Sequence, residues 1–208
     1  MPLFVFSYYT DVHAKTFWET YPKPDKSFAE NILYMARENR KYTKKEVSLV
    51  DKLLIVHADH GGGNNSTFAD VVISSTGTDI YSCIAASLGS LKGPKHGGAN
   101  LKVYEQFEYL INEVGLTCDE DVLMDVCNKM LDKELFDHSG LIYGIGHAIY
   151  TKSDPRAQII KKECKELAIE KGLMDTFNFF EAFEKAAIKT MKKRKGITAC
   201  ANVDFYSG

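Results

Sequence analysis

The stretch Asn100-Leu-Lys-Val-Tyr-Glu-Gln-Phe-Glu-Tyr-Leu-Ile-Asn-Glu-Val-Gly115 sets Tyr104, Phe107, Leu110, Ile111 and Val114 at helical spacing and then stops on glycine. Apolar residues three and four apart line one side of a helix, and glycine past the last of them is a common terminator. The same reading repeats outward in both directions. Upstream, Phe28, Ile32, Met35 and Ala36 follow a Pro-Asp-Lys-Ser start, and Thr43-Lys-Lys-Glu46 has the form of a capping box leading to Val47, Val50 and Leu54. Asn65 or Ser66 can cap a helix over 68–75. Asp79 can cap one whose stripe is Ile80, Cys83, Ile84, Ser87, Leu88 and Leu91, with Ser82, Ala85, Ala86 and Gly89 small enough to admit a close helix neighbour. Downstream, Thr117-Cys-Asp-Glu120 reads as a second capping box before Val122, Leu123, Val126 and Met130. Asp154-Pro155 is an N-cap with proline at the first helical position, and that helix stops at Gly172. A last long helix over 176–195 buries Phe180, Phe183, Ala187 and Met191 and ends in Lys192-Lys-Arg-Lys195, a solvated basic end that suits the helix dipole. Alternation that could mark a strand is confined to 3–9 and 141–145. The expected fold is all-α, without internal repeats.

Composition excludes several classes of function. The 208 residues carry 26 Lys plus Arg against 28 Asp plus Glu, a formal charge of −2, so the basic excess of a nucleic-acid surface is absent. At 45% hydrophobic the chain has material for a core. No apolar run reaches the roughly 18 residues a membrane span needs. Met1 to Thr10 is apolar but lacks a basic start and a small-residue cleavage site, so no signal peptide is expected. The five cysteines are odd in number and never spaced as CxxC, which suits buried thiols in a reducing cytoplasm.

Glycine gathers where helices should end, and chemistry tends to sit on such loops. Four loops stand out. Val56-His-Ala-Asp-His-Gly-Gly-Gly-Asn-Asn-Ser-Thr67 carries His57 and His60; Lys92-Gly-Pro-Lys-His-Gly-Gly-Ala-Asn100 carries His96. Tyr143-Gly-Ile-Gly-His-Ala-Ile-Tyr-Thr-Lys-Ser-Asp-Pro-Arg156 carries His147 and Arg156, and Asn202-Val-Asp-Phe-Tyr-Ser-Gly208 carries Asp204. Any one of them reads as ordinary structure. Together they supply neutral donors, a carboxylate base and a cation, the kit for taking a proton beside a carbonyl and stabilising the enolate. The first loop also resembles half of the HxHxDH zinc motif of metallo-β-lactamase-type hydrolases. That motif needs histidine where this chain has Ile55, and strands where it reads as helix, so no metal is expected.

Taken in order, His-Ala-Asp-His with Asn-x-Ser-Thr, Gly-Pro-Lys-His-Gly-Gly-Ala-Asn, Gly-Ile-Gly-His with Asp-Pro-Arg, and Asn-Val-Asp-Phe-Tyr-Ser-Gly resemble the motifs of the citrate synthase family, from about Ser27 to the last residue. The resemblance implies an all-helical homodimer whose subunits close a large and a small domain over oxaloacetate and acetyl-CoA, with no cofactor besides these substrates. It implies that His96 donates to the thioester carbonyl, that Asp204 removes the methyl proton, and that His147 polarises the ketone. His60, His147 and Arg156 would bind oxaloacetate. The loop Gly144, Ile145 and Gly146 would lie along coenzyme A, with Lys152 standing in for a basic residue that many members carry at Thr151. By the same resemblance, residues 1–96 correspond to part of the large, dimerising domain and 97–208 to the small, coenzyme A-binding domain. Family members run to about twice this length and carry further carboxylate-binding arginines, whereas Arg156 is the motif arginine here, so the chain reads as a fragment with little activity alone. A 2-methylcitrate synthase, or another relative condensing an acyl-CoA with a keto acid, would use the same residues. A helical interaction module that keeps the loops for structure is the reading from outside enzymology.

Overall fold

The structure is a computed structural model that describes residues 2–9, 12, 21–58, 63–93, 96–147, 150 and 152–208. It is all-α. The helices are α1 (Pro2–Tyr9), α2 (Phe28–Ala36), α3 (Lys44–Ala58), α4 (Asn65–Ser74), α5 (Ile80–Leu91), α6 (Ala99–Val114), α7 (Glu120–Leu131), α8 (Pro155–Lys171), α9 (Met174–Lys195) and α10 (Asp204–Ser207). The strand signal at 3–9 is overturned by α1. Pro2-Leu-Phe-Val-Phe-Ser-Tyr-Tyr9 is a short, nearly all-apolar run, in which periodicity does not separate strand from helix, and proline at the start fits a first helical turn. Of 141–145, Ile145 alone pairs, in an isolated antiparallel bridge with Ala201. Among the described residues no helix is long and apolar enough to cross a membrane.

The chain divides into two compact units, Met1–Val56 and His57–Gly208. In the first, Ser27 and Glu30 close a capping box on α2, which buries Ala29, Leu33 and Met35. The expected box at Thr43 is present: Thr43 N donates to Glu46 at 2.7 Å and Glu46 N to Thr43 Oγ1 at 3.3 Å. Glu46 also receives the Arg37 fork at 2.9 and 3.0 Å, so a buried carboxylate is satisfied from both sides.

In the second unit α4 packs on α5. Asn64, one residue earlier than expected, caps α4, its side chain accepting from Ser66 N and Thr67 N. The seam is polar: Asn65 Nδ2 donates to Ser90 Oγ at 2.8 Å and Ser66 Oγ to Ser87 O at 3.0 Å. The stripe of α5 is exposed at Ile80, Ile84, Leu88 and Leu91, and Phe68, Val71 and Val72 of α4 are exposed too. Cys83 is the buried residue of α5.

Helices α6 to α10 form an aromatic core. Phe107 of α6 stands 4.2 Å from Phe180, 5.5 Å from Phe183 and 5.2 Å from Phe205, centroid to centroid. Such tilted and edge-on pairs add about 0.5–1.5 kcal/mol each beyond the area they bury. Asp119, not Thr117, caps α7, with Thr117 Oγ1 taking the Asp119 N–H instead. Leu123, Val126 and Met130 are buried as expected, while Val122 is exposed. Asp154 caps α8 and Gly172 and Gly196 close α8 and α9 in left-handed conformation. Lys192, Lys193 and Lys195 are exposed, but Arg194 forks onto Asp132 at 2.6 and 2.9 Å. All five cysteines are free; Cys83, Cys127 and Cys200 are buried, Cys164 is half-buried and Cys118 is exposed.

Gly144 shows why glycine collects at one loop. Its φ is +82°, and a Cβ there would meet the Cα and Cβ of Phe205 at 3.0 Å and its Cδ2 at 2.9 Å. Both the conformation and the neighbour exclude a side chain. Gly144→Ala should therefore cost about 1–3 kcal/mol through the backbone alone, with the contact against Phe205 in addition. Urea unfolding checks this, and an unchanged midpoint would contradict the close packing of 144 on 205.

Candidate functional site

The third and fourth glycine-rich loops are joined. Gly146 N donates to Cys200 O and Asn202 N to Gly144 O, both at 2.8 Å. The Asn202 side chain then uses both of its ends: Nδ2 donates to Gly146 O at 2.9 Å and Oδ1 accepts from Asp204 N at 3.0 Å. One amide thus spans from the residue before His147 to the backbone of Asp204. From beneath, fully buried Gln106 of α6 copies a strand neighbour, giving Nε2–H to Tyr143 O at 3.2 Å and taking Tyr143 N–H at 2.8 Å.

On this frame His147, Asp154, Arg156 and Asp204 form one electrostatic group. Asp154 is completely buried and does two jobs. Its Oδ1 caps α8 through Arg156 N at 3.0 Å, and its two oxygens clamp the Arg156 guanidinium at Nε, 3.0 Å, and Nη2, 2.8 Å. Burial pushes the Asp154 carboxyl up, but the hydrogen bonds and charge of Arg156 outweigh it and hold it below the usual carboxylate range. The carboxylates of Asp154 and Asp204 both favour the charged Arg156. His147 Nδ1 lies 3.1 Å from Tyr150 N and its Nε2 lies 3.2 Å from Arg156 Nη2. Both neighbours are donors, and a neutral ring accepts at one nitrogen only. An oxygen set between His147 and Arg156 would take the Arg156 N–H and leave Nε2 to carry the ring proton. Tyr150 braces the pair, with its ring 4.8 Å from that of His147 and 5.6 Å from the guanidinium carbon. Imidazole, guanidinium and carboxylate are so arranged as to suit a small, oxygen-rich anion.

His96 is held separately, on Ser66 of α4, whose Oγ lies 2.8 Å from His96 Nε2. The same hydroxyl reaches Ser87 O, so its single proton has two destinations. Gly144 is buried, Ile145 and Gly146 are half-buried, and Lys152 is exposed. His60, with Asp59 and the glycines at 61 and 62, lies outside the described residues. Among those described, no three His, Cys, Asp or Glu side chains are placed to hold a metal ion. The sequence reading missed Ser66 as a partner of His96 and Gln106 altogether. Ser66 stands in a quoted motif and was read for capping only; Gln106 sits on the polar side of a helical pattern, where nothing marks it.

A family model described as citrate synthase, C-terminal domain, matches residues 1–208. The chain is 37% identical over 187 residues to a citrate synthase of Deinococcus radiodurans, covering 90% of this chain and 45% of that protein. It is 39% identical over 190 residues to one of Acidithiobacillus ferridurans, with the same coverage of 90% and 45%. Among solved structures it is similar to the ternary complex of carboxymethyl coenzyme A and oxaloacetate with citrate synthase from Thermoplasma acidophilum, with TM-score 0.77, 29% identity, and coverage of 100% of this chain and 49% of that one. Citrate synthase from Thermotoga maritima gives TM-score 0.74 at 31% identity, over 99% and 50%. The all-helical scaffold is similar to that of solved citrate synthases, and the chain belongs to the citrate synthase family. It spans about half the length of the curated relatives it matches.

The Asp154 clamp makes a definite prediction. Removing one partner of a buried pair strands the other, so Asp154→Asn should cost about 3–5 kcal/mol at neutral pH. Because the folded carboxyl titrates below its unfolded value of about 3.9, this stability is complete above that pH and fades as pH falls through the lower folded value. Urea unfolding of parent and variant should show a wide gap at neutral pH that closes in acid; a gap independent of pH would contradict the ionised clamp.

Proposed function

We propose that the chain carries the chemistry of an enzyme condensing acetyl-CoA with oxaloacetate to citrate and CoA. The observation that carries this reading is the Asn202 amide, which ties the His147 loop to Asp204 beside Arg156. A thioester methyl is a weak acid, so its proton leaves only if charge on the carbonyl oxygen is met as it forms. Asp204 takes that proton and His96 donates to the thioester oxygen. The Nε2–H of His147 polarises the ketone of oxaloacetate, whose carboxylates lie on Arg156 and His60. The new carbon–carbon bond gives citryl-CoA, and water then releases citrate and the thiol. Gly144, Ile145 and Gly146 offer backbone to coenzyme A, with Lys152 available to its phosphates. No metal or redox group enters these steps. Five free thiols suit the reducing cytoplasm we assign to it.

The residues 1–96 are taken as part of the large domain and 97–208 as the small one. Supporting this, α4 and α5 pack on each other while α6 to α10 gather around Phe107. A homodimer completes the proposal. Ile80, Ile84, Leu88 and Leu91 are exposed beside the small and exposed Ser82, Ala85 and Gly89, a surface that suits close helix packing.

Two measurements test the reading. In the chain completed with the flanks of a citrate synthase relative, Asp204→Asn should lower thiol release from acetyl-CoA with oxaloacetate by about 10²-fold or more, because an amide accepts no proton; citrate made at the parent rate would refute the base assignment. Light scattering on the chain itself should give a dimer or larger species, which Ile84→Glu shifts toward monomer. A monomer at all concentrations would remove the proposed interface.

A further inference from the structure

Asp204 opens α10, a helix of four residues held at its start by the Asn202 side chain, whose Oδ1 accepts from Asp204 N at 3.0 Å. A single turn has almost no stability or register of its own, and one residue of slippage turns a side chain by about 100°. The Asn202 bond holds the backbone at the start of the turn, and further contacts along α10 must fix where the Asp204 carboxylate points. Phe205 supplies burial, being 1% exposed among Phe107 and Phe183, but apolar packing is weakly directional.

Directional contacts come from Tyr206, two residues beyond. Its hydroxyl donates to Glu184 Oε2 of α9 at 2.6 Å, and both residues are 7% exposed. Lys161 of α8 donates to the same Oε2 at 2.8 Å and reaches Glu181 Oε1 at 3.0 Å. Its ammonium also stands 5.4 Å over the Tyr206 ring. Cys164 Sγ donates to Tyr206 O at 3.4 Å. Burying a carboxylate, a phenol and an ammonium here is an expensive way to gain stability, since apolar residues of similar size commonly hold such sites as well or better. What the polar set adds is direction: one acceptor oxygen takes two donors from different helices, joining the Asn202 bond to Asp204 N and the Asn100 bond to Ser207 Oγ in setting the turn.

We propose that Tyr206 and Glu184 are positioning residues for Asp204, setting its carboxylate toward Arg156 from the far side of α10. The inference rests on the reading of Asp204 as the base, but its test uses no substrate. A thiol introduced by Asp204→Cys, in a Cys118→Ser background, reports the local field through the pH dependence of its alkylation by iodoacetamide. Cys83, Cys127 and Cys200 are buried, and burial pushes the Cys164 thiol up to about 11, so they interfere little. Tyr206→Phe and Glu184→Leu should each move the profile to higher pH and slow alkylation at pH 7 about threefold or more, as half a pKa unit requires. Glu184→Gln keeps an acceptor for the phenol and should stay close to the parent. Tyr206→Phe and Glu184→Leu should also lower the urea midpoint, because each strands a buried polar partner, so the reading is made at denaturant-free conditions in which parent and variants are fully folded, where a merely stabilising role leaves the profile unmoved. Unshifted profiles in Tyr206→Phe and Glu184→Leu, or shifts that follow the loss of stability, overturn the proposal. Should Asp204→Cys fail to fold, amide exchange over 204–208 in the native chain decides: Tyr206→Phe should speed it about tenfold relative to α7, and equal rates refute the role. Citrate made at the parent rate by Asp204→Asn in the completed protein would instead refute Asp204 as the base and leave this result standing.

Discussion

The Asn202 side chain is the constraint on which the site depends. A helical scaffold has no sheet to align its loops, yet the backbone groups of 144–146 and 200–204 still need partners. One bridge, Ile145 with Ala201, and one amide meet that need. Because the amide donates with one end and accepts with the other, it couples two loops far apart in sequence without a strand. Gln106 repeats the device on Tyr143. The glycines follow from this: only a residue without Cβ lets the loop lie against Phe205 at the left-handed φ of Gly144.

Asp154 shows how such a frame is charged. A bare guanidinium at 7% exposure would be costly, and a bare carboxylate at 0% more so. Paired, they form a fixed dipole at the start of α8, where the helix terminus also favours an anion. A ligand carboxylate arriving there meets donors already oriented, which lowers the ordering cost of binding. The tight pairing also means that Arg156 shares its charge, so the anion is held by the group and not by one residue.

Much of this was legible in the chain. Capping patterns and apolar periodicity located α2, α3 and α5 to α9, because α2, α3, α5, α7 and α8 start on oxygen-bearing side chains and α6, α8 and α9 stop on glycine. The misreadings have physical causes. At α1 the run is apolar in every direction and carries no period. At α4 and α7 several adjacent residues could cap, and the choice fell to Asn64 and Asp119, whose short side chains reach the two following N–H groups. On α5 the stripe is marked by its apolar residues, but helix α4 meets it at Ser87 through Ser66, a preference set by hydroxyl partners that hydropathy does not register. The site residues were readable as motifs; their supports were not, since Gln106 and Glu184 are polar residues on helices and become buried only in three dimensions.

The two histidines show why supports matter to the chemistry. A neutral imidazole has one proton and two nitrogens, so its partner at one nitrogen decides what it can do at the other. Donors stand at both nitrogens of His147, Tyr150 N–H at Nδ1 and Arg156 Nη2 at Nε2, so its proton rests on Nε2 when Arg156 turns to another acceptor. For His96 the decision lies with the Ser66 hydroxyl. When that proton goes to Nε2, the ring carries its own on Nδ1 and can donate to a carbonyl there; when it goes to Ser87 O, the ring donates to Ser66 and offers Nδ1 as an acceptor. In the proposed reaction, enolisation would need the first arrangement on the way to the enolate. Passing a proton back along Ser66 would restore the second, so a seam that looks like helix packing also sets the protonation of a donor.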